Sequence, residues 1–406
     1  MNFTRAKILM IAIFFLAIFF FSNDFGLIDV EKASIVTAVA IDKSGDEYEV
    51  SLQIAVPEAN SGNTNAKVVV SGKGKTVAEA IGDVTSTTGW YQKLAFCNMI
   101  IIGEDLLDTN VMNFLDYFSK SLKIQGSALL AGVEGNAKDL LTTATPLDNI
   151  SSFSLQKIIL QKSGMESDVL SVDIKTFSIG YYSRTASSYM PLVKTIKQKE
   201  EDKTLTASTN TGGKTAEQSG SKEDNKVTFK ATETILFKNG KRVGLLTEEE
   251  TLATIYVKES KMDTAIIVND VLIDGQKVNY MLNVLKNKPK ISVDTDNGNV
   301  TLKIKQDVYV KIADETSSDK ELSNTPAILV PKEVTKKAKE ILEKNLLSLI
   351  QKCKDTRTDI LKIDEKLYRY HHEKYDELKD FWPSLSTDVN ITVHGQHAIR
   401  TAEDYN

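Results

Sequence analysis

Apolar and polar positions along this chain fall into two periods. Ile35–Ile41 is an unbroken apolar run. After the polar turn Asp42-Lys43-Ser44-Gly45-Asp46-Glu47, Tyr48, Val50, Leu52 and Ile54 alternate with Glu49, Ser51 and Gln53. A continuous run followed by a period of two reads as a buried strand paired with a half-buried one in a hairpin. Lys67–Val70 predicts a further strand, and Val77, Ala80, Ile81 and Val84 share one helical face. Met99–Ile102 and Ser127–Val133 read as strands and Glu104–Lys120 as a helix. Further helices are expected near Ala137–Thr143, Asn149–Ser163 and Asp168–Tyr181.

The second half repeats the mixture. Val227–Phe237 and Lys241–Leu246 flank Asn239-Gly240, a pair suited to a type I′ hairpin because both turn residues need positive φ. Thr247 with Glu250 three residues on forms a capping-box pattern, predicting a short helix over Glu249–Val257. Strands are expected at Ala265–Val268, Val278–Leu285 and Lys290–Val293, and from Val300 to Val310 after the turn 296–299. Pro331 suits a helix first turn, and Val334, Ala338, Ile341, Leu342, Leu346, Leu349 and Cys353 form the stripe of that helix. A second helix over Asp359–Lys379 and a strand over Val389–Val393 close the chain. Hairpins mixed with helices, without strict strand–helix alternation, give an α+β class: several lobes with antiparallel or mixed sheets and packed helices.

Two segments break the pattern. Arg5 and Lys7 precede Ile8–Phe21, an unbroken apolar run. Fourteen helical residues reach about 21 Å, short of a hydrocarbon core of about 30 Å. Snorkelling of Lys7 and local thinning would close the gap. No small-residue cleavage pattern follows the run, so a retained membrane anchor is the preferred reading, with a cleaved signal or a core helix as alternatives. The flanking cations place the terminus in the cytoplasm and the body outside. Residues 197–226 hold one Leu and no aromatic residue, a composition that cannot offset its ordering entropy. The expected organisation is therefore an anchor over 1–22, an N-terminal α+β region over 23–196 that could itself be two lobes, a disordered linker or loop over 197–226, a C-terminal α+β domain over 227–395, and a tail over 396–406.

Composition narrows the function. The net charge is −5, so no global basic footprint for nucleic acid exists. Cys97 and Cys353 are the two cysteines; one bridge between them is possible, a disulfide framework or structural zinc site is not. Ser71-Gly72-Lys73-Gly74-Lys75-Thr76 resembles the end of a phosphate-binding loop, but Val69 occupies the position of the first glycine. A glycine turn before a helix is the better reading. His371, His372, His394 and His397 match no metalloprotease spacing, and no Gly-x-Ser-x-Gly occurs. Tyr368, Tyr370, Tyr375, Phe381 and Trp382 read as packing before a binding platform. No catalytic, cofactor or metal residue is assigned.

The order of several short motifs resembles the C subunit of spore germination nutrient receptors, the Ger(x)C family. The resemblance rests on Ile35–Lys43, which ends in Ala-Ile-Asp-Lys, and on Tyr48-Glu49-Val50 through Pro57. It continues in Gly74–Ala80, in Ile100-Ile101-Ile102-Gly103-Glu104-Asp105-Leu106, and in the hairpin of Thr234–Phe237 with Val243–Leu246. Asp359-Ile360-Leu361 and the segment from Trp382 to Val393 complete it. It spans about 27–395. It implies a non-enzymatic subunit on the outer face of the spore inner membrane, beside multi-span A- and B-type subunits, acting in assembly and signal coupling without a cofactor. The chain departs from the family in lacking a lipoprotein Cys near Asp24, in Phe96-Cys97-Asn98 where a His is usual, and in the long 197–226 insertion. The alternatives are a membrane-anchored extracytoplasmic protein binding a solute or envelope polymer, and an envelope hydrolase.

Overall fold

The computed structural model describes residues 7, 10–15, 33–56, 67–120, 124–143, 145, 148, 150–164, 169–197, 227–260, 264–273, 275–296, 298–317 and 329–396. All of the 197–226 segment but Lys197, His397 and most of the apolar run 8–21 lie outside these residues. Residues 10–15 are helical, and their large apolar side chains are exposed. No helix among the described residues is long and apolar enough to cross a membrane.

β1 (Ala33–Ser44) and β2 (Glu47–Ala55) form the expected hairpin, and β3 (Lys67–Gly74) extends it antiparallel. α1 (Val77–Thr88) follows, capped by Thr76, whose Oγ1 accepts from Glu79 N at 3.1 Å. β4 (Tyr91–Lys93) and β5 (Met99–Ile102) both run parallel to β1. The helix expected over Glu104–Lys120 is instead two helices, α2 (Glu104–Leu107) and α3 (Met112–Lys120). Asn110 divides them: its Oδ1 accepts from Met112 N at 3.1 Å, offering the backbone a side-chain partner that restarts the helix.

β6 (Leu129–Val133) lies parallel to β5, followed by α4 (Ala137–Thr142), α5 (Ser151–Gly164) and α6 (Ile174–Tyr182). Asp173 caps α6 by accepting from Thr176 N at 2.7 Å, which starts that helix later than its apolar pattern suggests. β7 (Ser187–Lys197) is parallel to β6. β8 (Val227–Lys238) and β9 (Lys241–Leu246) return antiparallel through Asn239-Gly240, both with positive φ as expected. The result is one nine-stranded sheet, ordered β3-β2-β1-β5-β6-β7-β8-β9 with β4 beside β1. Its hydrogen bonding runs from β7 to β8, across the expected linker.

Both faces of this sheet are covered. Val36, Val39 and Ile41 pack under α1, α3 and α6 with Phe114, Phe118 and Phe177; Ala38 and Ala40 meet Leu140, Leu141, Leu155 and Ile159 of α4 and α5. Burial on both sides explains why β1 and β5 are continuous apolar runs.

α7 (Glu248–Lys258) carries the full Thr247–Glu250 capping box. The second sheet is β10 (Ala265–Ile273), β11 (Gln276–Asp296), β12 (Asn299–Ser317) and β13 (Leu385–Gly395), in that order, with β13 parallel to β12. The two strands expected at 278–285 and 290–293 are one strand, because Pro289 does not interrupt it. β10 pairs only as far as Asn283, so beyond that β11 is an edge strand and the missing N–H costs no ladder bond. α8 (Lys332–Thr356) lays its expected stripe on this sheet, with Pro331 at the N-cap. The expected second helix breaks into α9 (Ile363–Tyr370) and α10 (Tyr375–Leu378). β8 joins the two cores by its period of two: Ile235 and Phe237 face the first, Leu236 the second.

Candidate functional site

The carboxyl ends of parallel strands are where open sheets of this kind hold ligands. Here that edge is occupied by the chain itself. Asp42, at the end of β1, accepts from Ala137 N at 2.7 Å and Lys138 N at 2.9 Å, the first amides of α4. A carboxylate at a helix N-terminus satisfies amides that have no partner within the helix. Burial nevertheless holds the Asp42 carboxyl above its ordinary range, against those two hydrogen bonds. Gly103 N donates to Ile41 O at 2.9 Å, and Glu104 Oε2 accepts from Gly135 N at 2.9 Å. The remaining cleft, lined by Asp42, Glu104 and Asp105 with the one cation Lys43 and by Gly103, Gly135 and Asn136, has a volume of about 60 Å³. It is acidic and water-sized, not a nucleotide site. The Ala-Ile-Asp-Lys and Gly-Glu motifs therefore meet in one clasp.

The glycines of the phosphate-loop look-alike are strand residues of β3, not a turn. A Cβ on Gly72 would lie 2.3 Å from Ala80 O, and one on Gly74 2.7 Å from Ala80 N. They let α1 lie against the strand, and the loop that would cradle phosphate does not form.

A cluster of charged residues lies where the two cores meet. Asp359, buried after α8, accepts from Ile363 N at 2.7 Å and Asp364 N at 2.8 Å, capping α9. Its own N–H donates to Ser187 Oγ of β7 at 3.0 Å. Burial pushes the Asp359 carboxyl up to about 6. Arg184, just before β7, donates through Nε and Nη2 to Asp364, and through Nη2 to Lys379 O at 2.7 Å. Tyr375 Oη donates to Asp364 Oδ1 at 3.1 Å. Lys258 Nζ sits 4.1 Å from the Tyr189 ring centroid, and burial brings its ammonium down to about 8. Each contact to Ser187, Arg184 or Tyr189 ties the nine-stranded sheet to the second core.

Backbone strain gathers at the same place. Of the five non-glycine residues with positive φ among the described residues, Ala186, Arg357 and Lys362 have φ of 44°, 51° and 58°; the other two are Asn239 of the β8–β9 turn and Asp270 in β10. The first three flank the junction. Left-handed backbone at such residues persists only where surrounding contacts fix it, and it clusters at functional elements.

The residues singled out for chemistry are dispersed. Cys97 and Cys353 are free, buried in separate cores, with burial pushing each thiol up to about 12. His371 bonds to Val293 O at 2.9 Å; His394 stacks on Tyr309 and lies 3.2 Å from Asp307. No group of three metal-capable side chains occurs among the described residues. Of the aromatic cluster, Phe381 and Trp382 are core, while Tyr368 packs edge-on against His372 and Tyr375 at the surface. Sequence reasoning missed Arg184, Ser187 and Lys258, because they gain meaning only from partners far along the chain.

Comparison with known proteins agrees with these landmarks. Residues 27–195 match the family model of the spore germination protein N-terminal domain. Residues 232–402 match that of the spore germination B3/GerAC-like C-terminal domain. The chain is 21% identical to spore germination protein KC of Bacillus subtilis (strain 168) over 383 residues, 90% of this chain and 89% of that one. It is 18% identical to the putative spore germination protein YfkR of the same organism over 374 residues, covering 90% and 89%. The crystal structure of the GerBC protein shares the fold, with a TM-score of 0.50 and 18% identity over 90% of this chain and 99% of that one. Both halves match in order over most of the length, so the chain belongs to the GerAC-like family of spore germination proteins, the C subunits of germinant receptors.

Proposed function

We propose that this protein is a membrane-anchored, non-catalytic subunit of a spore germinant receptor. Its body lies on the outer face of the spore inner membrane and couples nutrient binding in multi-span A- and B-type partners to germination. The observation that carries this reading is the match of two germination-family domains along one chain, at 27–195 and 232–402. Two physical features fit it. The described part of the apolar N-terminal run is an exposed helix, a surface that lipid would cover. The two cores meet through a junction that buries Asp359 and Lys258, so a movement of one core against the other would change the surroundings of both charges.

The test is genetic. Spores lacking this chain should fail to release dipicolinic acid in response to the nutrients that trigger the parent, yet still germinate with an agent that bypasses receptors. Unchanged nutrient responses would contradict the proposal.

A further inference from the structure

The end of the nine-stranded sheet where β1 begins carries an unusual surface. Ile35, Trp90 and Phe96 are 40%, 48% and 57% exposed. They are neighbours by register: β4 pairs with the start of β1, Ala33 opposite Tyr91 and Ile35 opposite Lys93. Trp90 precedes that pairing by one residue. Phe96 closes the short turn Leu94–Phe96 that follows it, with Leu94 and Cys97 directed into the core and Phe96 outward. Helix α5 reaches the same place, since Gln156 Oε1 accepts from Asn98 Nδ2 at 2.7 Å, and Phe153, one turn before Gln156, is also exposed.

The backbone under this patch is fixed. Trp90 O accepts from Gln92 Nε2 at 2.9 Å, and Gln92 Oε1 accepts from Ser34 Oγ at 2.6 Å. Trp90 is therefore presented by a tied strand. The charge pattern is as distinctive as the exposure. Residues 84–103 contain no carboxylate, and their one charged residue is Lys93. Exposed Trp and Phe beside lysine are the side chains that settle at the headgroup level of a bilayer. Lying there desolvates no carboxylate of this segment, and at the α5 flank the Asp148 carboxylate is paired with Lys157 at 2.8 Å.

The chain enters the sheet at this end. Residues 22–32, eleven residues, separate the apolar run from Ala33. Fully extended they reach about 40 Å. β1 enters the sheet at Ala33, so this end is tethered nearest to whatever holds the run, and the clasp of Asp42 lies at the other end of β1.

We propose that Ile35, Trp90, Lys93 and Phe96, flanked by Phe153, dock the body onto the lipid surface beside its own anchor. This fixes how the body is tilted towards its partners. The inference rests on the anchored reading above, and the experiment separates the two.

The chain has two tryptophans, Trp90 and the buried Trp382. Full-length Trp382→Phe protein, reconstituted into phosphatidylcholine–phosphatidylglycerol vesicles, leaves Trp90 as the reporter. Vesicles with brominated acyl chains should remove most of its emission, and its spectrum should shift to the blue relative to detergent-free buffer. Should Trp382→Phe fail to fold, the difference between wild type and Trp90→Phe gives the same signal. Flotation in a density gradient is measured on the same samples. Protein that floats but keeps full Trp90 emission, open to aqueous iodide, overturns the docking and leaves the anchor standing. Protein that floats with Trp90 shielded from iodide yet unquenched by bromolipid means a protein partner or second copy covers the patch, and also overturns it. Protein that does not float overturns anchor and docking together.

Discussion

The carboxylate of Asp42 fills the space that a side chain on Gly103 would need: a Cβ there would stand 2.2 Å from Asp42 Oδ1. The two residues belong to motifs about sixty positions apart in the chain, and their fit explains why each motif has its residue. Gly103→Ala should push Asp42 off the first amides of α4 and leave buried donors unsatisfied. The expected loss is about 2–3 kcal/mol of stability, read as a lowered urea midpoint of the full chain in detergent with unchanged slope. Asp42→Asn, which keeps one acceptor, should lose less. Equal stability of Gly103→Ala and wild type would mean the clasp contributes nothing.

Gly72 and Lys75 make the contrasting test of the phosphate-loop look-alike. Gly72→Ala drives a methyl into the backbone of α1, for which about 2 kcal/mol or more of destabilisation is expected. Lys75→Ala, on the surface, should cost less than about 0.5 kcal/mol. Magnesium ATP should leave the melting temperature of wild type unchanged. A rise with ATP that Lys75→Ala abolishes would restore a nucleotide site.

The junction should respond to Arg184 selectively. Its fork serves Asp364 and Lys379 O together, a geometry that a lysine does not reproduce. Because Arg184 is partly solvated, the cost of Arg184→Ala is about 1–2 kcal/mol. Hydrogen exchange locates the effect: amides of 359–370 should exchange faster, while those of β1 and β5 keep their protection. Uniform acceleration across both cores would show a general loss of stability instead.

Asp359 and Lys258 give the junction a pH signature. The Asp359 carboxyl is raised to about 6 from 3.8, so its ionised form is disfavoured in the folded state. Acidification through 6 therefore stabilises, by about 1 kcal/mol between roughly pH 7 and pH 5. The Lys258 ammonium is lowered to about 8 from 10.5, so rising pH stabilises between those values. Together these two groups contribute least between about pH 6 and pH 8. Denaturation midpoints of wild type minus Asp359→Asn, which keeps an acceptor for α9 without the charge, should show the acid limb. A difference independent of pH would remove the buried charge from the account.

Much of this fold was legible in local pattern. The Asn239-Gly240 hairpin, the Thr247–Glu250 box and the α8 stripe form as expected, because each is governed by residues within one or two turns of each other. Errors arose where a distant partner decides. The apolar period over Glu104–Lys120 continues through the break at Asn110, and Pro289 ends a strand only if both edges are paired. Gly72 and Gly74 looked like a turn because their spacing is that of a turn; their reason is the proximity of Ala80. The junction was the least legible. Asp359 stood in a recognisable motif, but nothing near Arg184 or Lys258 in the sequence announces Asp364 or Tyr189.

A subunit of a membrane complex should travel with its partners. The most direct measurement is purification of the tagged full-length chain from membranes of sporulating cells in mild detergent, with mass spectrometry of what accompanies it. Multi-span proteins should be recovered in stoichiometric amounts, and in smaller amounts with Arg184→Ala if the junction sets the presented surface. A chain recovered from the soluble fraction without such partners would contradict membership of such a complex.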